Sequence, residues 1–166
     1  MMEGMTTWTQ LTDDAPELAA LARARIEATG LALLATLRKD GSPRISGVEP
    51  LFHEDDLWFG MMPDSRKAHD LQRDPRFALH NASEDKQVTD GDVKISGRAV
   101  ELTDDEAVVA SFRRAFAAAS GYEPPPGPMH LFRADVTEVV TIRPAGDHLV
   151  IQLWQDGKGV RTIDRY

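Results

Sequence analysis

Residues 60–79 read GMMPDSRKAHDLQRDPRFAL and hold the most informative pattern in the chain. The turn Pro63-Asp64-Ser65 ends a strand and starts a short predicted helix, Arg66 to Arg73. Asp74-Pro75 ends this helix, because a residue before proline disfavours the α conformation. Arg76 to Asn81 is the next predicted strand. A strand, a turn, a short helix and another strand therefore follow one another directly.

Further strand patterns lie on both sides of this stretch. Residues 31–37 (LALLATL) are apolar and bounded by Gly30 and a polar turn, which favours a buried strand. Asp40-Gly41 in that turn is a strong hairpin signal. The strand candidates are residues 31–37, 44–49, 57–61, 76–81, 93–102, 129–143 and 148–154.

Two longer helices and two irregular segments complete the predicted organisation. Residues 15–28 carry apolar side chains at helical spacing after an N-cap at Asp14. Residues 104–119 follow a predicted capping box, Thr103-Asp104-Asp105-Glu106. The start of the chain, residues 1–13, is predicted to be a loose arm. Residues 121–128 contain four prolines and two glycines and are predicted to be a rigid loop.

The order of these elements predicts the fold class. Consecutive strands joined by tight turns pair antiparallel, and the helices are too few and too irregularly placed for a doubly wound sheet. We therefore expect a mainly β protein, a six-stranded antiparallel barrel with peripheral helices, in one domain over residues 1–166.

Composition limits the function classes. The chain has 166 residues, 42% hydrophobic and 28% charged, as in ordinary soluble domains. Its formal net charge of −8 argues against nucleic-acid binding and makes any local basic cluster informative. Without cysteine, a disulfide, a thiolate nucleophile and a cysteine-ligated zinc site are excluded.

The sequence also predicts a cytoplasmic protein that does not enter a membrane. Residues 1–10 lack the basic region and apolar core of a signal peptide. The longest near-apolar run, residues 31–37, is too short to span a bilayer.

The triplet Ser65-Arg66-Lys67 is the strongest candidate for a binding site. Free N–H groups at a helix N-terminus attract anions, and the arginine, lysine and serine add charge and a hydroxyl. A phosphate site is one interpretation, and an ordinary helix cap with solvated basic side chains is the other. The histidines lie at no metal-ligand spacing and are interpreted as surface or satisfied residues: His53, His69, His80, His130 and His148.

Three motifs in register resemble the flavin-binding families typified by pyridoxamine 5′-phosphate oxidase. Residues 60–79 resemble the strand–loop–helix–strand signature with its Ser-x-Lys. Residues 34–37 with 40–44 resemble the opening hairpin, and residues 93–99 resemble the strand that ends in a glycine followed by a small residue. The resemblance covers roughly residues 30–102 in consistent order and spacing.

This resemblance implies a split-barrel homodimer with two flavin sites across its interface. In the family pattern Ser65-Arg66-Lys67 holds the cofactor phosphate, Arg44 lies near it, Ile45-Ser46-Gly47 contact the flavin through the backbone, and residues 58–61 form a wall. The implied cofactor-binding residues are Arg44, Ile45, Ser46, Gly47, Gly60, Met61, Ser65, Arg66 and Lys67. The apolar residues Leu57, Trp58 and Phe59 are expected at the dimer interface.

The resemblance implies an FMN-dependent oxidoreductase acting on a small molecule, and leaves two alternatives open. A deazaflavin coenzyme carries an acidic tail, which Arg38, Lys39 and Arg44 would bind. A non-catalytic flavin- or haem-binding protein is the second alternative, and no catalytic residue is predicted. Residues 157–161 lack the C-terminal Arg and His motif of true pyridoxamine 5′-phosphate oxidases, so the substrate stays open.

Overall fold

The computed structural model describes residues 8–166, and its strands form one antiparallel sheet with four helices around it. In chain order the elements are α1 (Trp8–Asp14), α2 (Pro16–Glu27), β1 (Ala32–Leu37), β2 (Pro43–Val48), β3 (Pro50–His53), β4 (Asp56–Met61), α3 (Arg66–Arg73), β5 (Arg76–Asn81), β6 (Asp92–Glu101), α4 (Glu106–Ser120), β7 (His130–Ala145), β8 (His148–Gln155) and β9 (Gly159–Arg165).

The sheet confirms the predicted mainly β, antiparallel class. Its strand order is β2-β1-β5-β6-β7-β4-β3, with the β8–β9 hairpin added to β7. The two ends of this path, β2 and β3, are separated in the chain by Glu49 alone. They act as one bent strand that pairs with β1 through its first half and with β4 through its second. Counting this segment once and setting the β8–β9 hairpin aside leaves the six expected strands. The two ends of the path meet through the bend at Glu49, and no ladder joins β2 to β3.

Strand β4 is buried on both of its faces. Leu57 and Phe59 lie in the main core, whereas Trp58 packs in a second cluster with Phe112 of α4 and Leu131 of β7. Trp58 is only 4% exposed and the other two β4 residues are fully buried. The prediction that Leu57, Trp58 and Phe59 contact a second subunit is therefore wrong.

The N-terminal segment differs from the predicted loose arm where the structure describes it. Residues 1–7 lie outside the described part, but Trp8–Asp14 form helix α1. Trp8 is buried and packs edge-on against Phe52, with ring centroids 4.7 Å apart. Tertiary packing, rather than local propensity, stabilises so short a helix.

Two predicted helix caps are also corrected. Asp14 ends α1, and its Oδ2 accepts a hydrogen bond from Trp154 Nε1 at 3.3 Å, so it does not cap α2. Asp105 caps α4 by accepting from the Val108 N–H, and the helix begins at Glu106 rather than at 104. Thr103, the expected cap, accepts instead from the Leu131 N–H.

Residues 121–128 form neither helix nor strand, as expected. Arg113 of α4 donates to the carbonyl oxygens of Pro125 and Gly127 and holds this loop on the helix. Within residues 8–166, no helix has the length and apolar character needed to cross a membrane.

Candidate functional site

Strand β2 and the N-terminal turn of α3 lie side by side and form the candidate site. Lys67 Nζ donates to the Gly47 carbonyl oxygen at 2.7 Å. One helical turn further, Asp70 accepts from Arg44 Nε at 2.7 Å. The structure therefore brings the predicted residues of the two segments, 44–47 and 65–67, together.

Ser65 is the N-cap of α3, as predicted. Its backbone is extended, and its Oγ accepts from the Ala68 N–H at 3.4 Å. The preceding Asp64 has a φ of 57°, a left-handed turn that brings the chain from β4 into the helix. N–H groups of the first helical turn have no partner inside the helix, so this end of α3 favours an anion.

Asp70 is a buried carboxylate that the sequence interpretation missed. It is 3% exposed and accepts hydrogen bonds from Arg44 Nε, Arg73 Nη2 (3.0 Å) and Thr36 Oγ1 (2.8 Å). Burial raises the pKa of Asp70, but the hydrogen bonds from Arg44, Arg73 and Thr36 outweigh burial and lower it. Asp70 is therefore ionised at neutral pH. The signal for it was a charged residue between Ala68 and Leu71 on the buried side of the helix.

The basic side chains give this corner a local positive excess. Lys67 is half-buried, and desolvation lowers its pKa while the charge of Glu49 raises it. Arg66 is exposed beside it. Arg44, Arg66, Lys67 and Arg73 carry four positive charges against the three carboxylates of Glu49, Asp64 and Asp70, on a chain of net charge −8.

The other predicted residues of β2 lie on an exposed apolar face. Ile45 is 73% exposed and pairs with Ala35 of β1, and Gly47 pairs with Leu33, which is 46% exposed. Ser46 is half-buried on the opposite side of the strand. The basic corner is thus continuous with an uncovered apolar surface.

Gly60 and Met61 lie at the end of β4, where they pair with Leu131 and His130 of β7. The Met61 side chain is buried in the main core. A Cβ at Gly60 would lie 2.8 Å from Phe112 Cε1, so α4 covers this position closely. Any contact from these residues to a cofactor is limited to main-chain atoms.

A second polar cluster lies on the opposite flank of α3. Glu101 Oε1 is 3.1 Å from His130 Nδ1 and accepts from Gln72 Nε2 at 3.0 Å. His130 Nε2 accepts from the Asp64 N–H at 3.3 Å, which ties the turn before Ser65 to β7. Burial raises the pKa of Glu101, but the hydrogen bonds outweigh it and lower the pKa. These contacts fix the α3 N-terminus from its second side.

Two surface pockets lie away from the basic corner. The larger one, about 660 Å³, is lined by residues 101–107, which include four carboxylates and so disfavour an anion. The other lies between α1, α2 and Asp55. Among residues 8–166, no three His, Asp or Glu side chains are grouped to hold a metal ion.

Comparison with known proteins identifies related sequences and folds. The family model described as pyridoxamine 5′-phosphate oxidase matches residues 18–143. No curated protein matches the chain.

Solved structures share the fold at low sequence identity. A pyridoxamine 5′-phosphate oxidase-related, FMN-binding protein from Nostoc punctiforme is 17% identical, with 92% of this chain and 96% of that one covered and a TM-score of 0.67. PhzG from Burkholderia lata, solved with tetrahydrophenazine-1-carboxylic acid, is 18% identical, with coverage of 98% and 93% and a TM-score of 0.63. ChuZ from Campylobacter jejuni is 12% identical, with coverage of 89% and 63% and a TM-score of 0.71.

Proposed function

The chain belongs to the pyridoxamine 5′-phosphate oxidase family, and on that premise we propose that it is a flavin-dependent oxidoreductase. It binds FMN at the interface of a homodimer and acts on a small molecule in the cytoplasm. The observation that carries this proposal is the contact of β2 with α3, which follows the N-cap Ser65: Lys67 binds Gly47, and Arg44 binds Asp70.

The donors at this corner fit a phosphate dianion. Arg44 uses Nε for Asp70, and its terminal amino groups make no hydrogen bond within residues 8–166. Lys67 uses one of its three N–H donors on Gly47. Together with the open N–H groups of the first turn, these side chains would hold the FMN phosphate. Bound flavin would supply hydride or electron transfer, while the protein binds and orients it.

The exposed face of β1 and β2 supports the homodimer. Leu33 of β1 and Ile45 of β2 are 46% and 73% exposed on adjacent strands, and Leu31, just before β1, is 43% exposed. Contiguous exposed apolar surface commonly marks an association site. A second subunit on this face would cover the flank of the basic corner at Gly47.

The dimer is tested by placing a charge on this face. Ile45→Lys should give a monomeric mass in light scattering and weaken FMN binding, because a lysine cannot be buried there without a partner. Tyr122→Lys is the matched control, since Tyr122 is 59% exposed in the proline-rich loop. An Ile45→Lys variant that stays dimeric would rule out this face as the interface.

The cofactor is tested by titrating the purified protein with FMN and with riboflavin, which lacks the phosphate. Wild type should bind FMN about tenfold to a hundredfold more tightly, since each charge-assisted hydrogen bond contributes about 1.5–3 kcal/mol. A Ser65→Ala/Arg66→Ala/Lys67→Ala variant should bind the two flavins nearly equally. Equal affinities in wild type would contradict the FMN assignment.

A deazaflavin coenzyme is the second candidate in the same titration. Arg38 and Lys39 are exposed in the β1–β2 turn, in the hairpin that carries Arg44, where an acidic tail would find opposite charge. Tighter binding of the deazaflavin, lost in an Arg38→Ala/Lys39→Ala variant, would favour this candidate. Visible absorption typical of haem would instead favour the non-catalytic alternative.

A further inference from the structure

We infer that Asp70 is a positioning residue for Arg44: it fixes the guanidinium so that the terminal amino groups face the cofactor phosphate. This inference rests on the proposed FMN site and assigns a role to a residue outside the predicted clamp.

The direction of the Arg44 side chain is the first argument. A guanidinium is a rigid plane with five N–H donors, so fixing one of them fixes the direction of the others. Asp70 Oδ2 receives Nε at 2.7 Å. The terminal amino groups, which reach furthest from β2, make no hydrogen bond in the described part of the chain. The free donors are those best suited to a bidentate phosphate contact.

The rigidity of Asp70 is the second argument. Thr36 Oγ1 from β1 shares Oδ2 with Arg44, while Arg73 Nη2 binds Oδ1. Arg73 Nη2 also donates to the Leu37 carbonyl oxygen at 2.6 Å. The carboxylate is therefore held from β1 and from α3 without help from Arg44. Partners that lock a functional side chain in this way reduce the ordering needed when a ligand binds.

The charge balance is the third argument. The single negative charge of buried Asp70 faces the two positive charges of Arg44 and Arg73. The three groups together therefore keep a net positive charge, and Arg44 is not fully neutralised. Asp70 also follows Lys67 by three residues, which places both side chains on one side of α3. The helix thus supplies the cap at Ser65, the lysine and the residue that aims the arginine of β2.

The test is Asp70→Asn, a substitution of similar shape without the charge. FMN affinity should fall about tenfold, whereas riboflavin affinity should stay within about twofold. Arg44→Ala should show a similar loss, and the double variant should lose no more than Arg44→Ala alone, because Asp70 acts through Arg44. Asp74→Asn is the matched control: Asp74 ends the same helix but binds Arg76.

The outcomes separate this inference from the proposed function. If wild type does not prefer FMN to riboflavin, the proposed FMN site fails. If wild type prefers FMN and Asp70→Asn keeps the same preference, or loses both flavins equally, the positioning role fails alone. Should Asp70→Asn not fold, Asp70→Glu replaces it: the charge stays but shifts by one methylene group. If Asp70→Glu has the same ratio of FMN affinity to riboflavin affinity as wild type, the positioning role of Asp70 is overturned.

Discussion

Replacing Lys67 by methionine probes the charge of the proposed phosphate site with little change in shape. The ammonium lies 2.7 Å from the Gly47 carbonyl oxygen and is half-buried. A hydrogen bond between charged partners contributes about 1.5–3 kcal/mol, and partial exposure places Lys67 at the lower end. We therefore expect FMN affinity to fall about tenfold in Lys67→Met, measured by fluorescence titration, with riboflavin affinity unchanged.

The pH dependence of this effect has a defined direction. Burial lowers the pKa of Lys67 below 10.5. The preference for FMN over riboflavin is therefore fully present at neutral pH. It weakens as pH rises through the pKa of Lys67, at a lower pH than for an exposed lysine. Lys67→Met should show no such alkaline step. Lys158→Met, in the exposed β8–β9 turn, is the matched control. If Lys67→Met binds FMN like wild type at every pH, the lysine takes no part in phosphate binding.

Two further predictions concern stability. A Cβ at Gly97 would overlap the Asp135 carbonyl oxygen, whereas a Cβ at Gly47 would make only an ordinary contact, 3.9 Å from Leu31 Cδ1. Gly97→Ala should therefore lower the free energy of unfolding in urea by about 3 kcal/mol or more, and Gly47→Ala by much less. Comparable midpoints for the two alanine variants would contradict this reasoning. The pKa of Asp70 is lowered on folding, so its stabilisation is present above pH 3.8 and is lost as pH falls through the lower folded value. Wild type should therefore lose more stability than Asp70→Asn between about pH 5 and 2, and parallel acid-unfolding curves would refute that.

Features coded by a few adjacent residues were predictable from the sequence. The Asp40-Gly41 turn forms the β1–β2 hairpin with Gly41 at a φ of 82°, a conformation that glycine adopts without strain. Ser65 caps α3 for an equally local reason. Three short elements were missed. Helix α1 depends on distant packing of Trp8 against Phe52, whereas β3 and β9 belong to short hairpins with β4 and β8 and lack a strong apolar pattern of their own.

The wrong interface prediction has a physical explanation in β4. Its apolar run indicates burial on both faces, but a run of this kind does not identify what covers the second face. In the structure α4 covers it through Phe112. The exposed apolar residues lie instead on β1 and β2, where the alternation of side chains turns Leu33 and Ile45 outward.

The candidate site also combines a feature that adjacent residues encode with a contact that only the folded structure creates. The triplet Ser65-Arg66-Lys67 is contiguous, so a helix start with basic residues reveals it. The Arg44–Asp70 contact joins residues 26 positions apart, and it exists only because β2 and α3 both pack against β1. Thr36 of β1 also binds Asp70, so β1, which precedes both elements in the chain, joins them in space. The direction of the Arg44 side chain is therefore determined by the fold. Substitutions at Asp70 should test this direction more clearly than substitutions within Ser65-Arg66-Lys67.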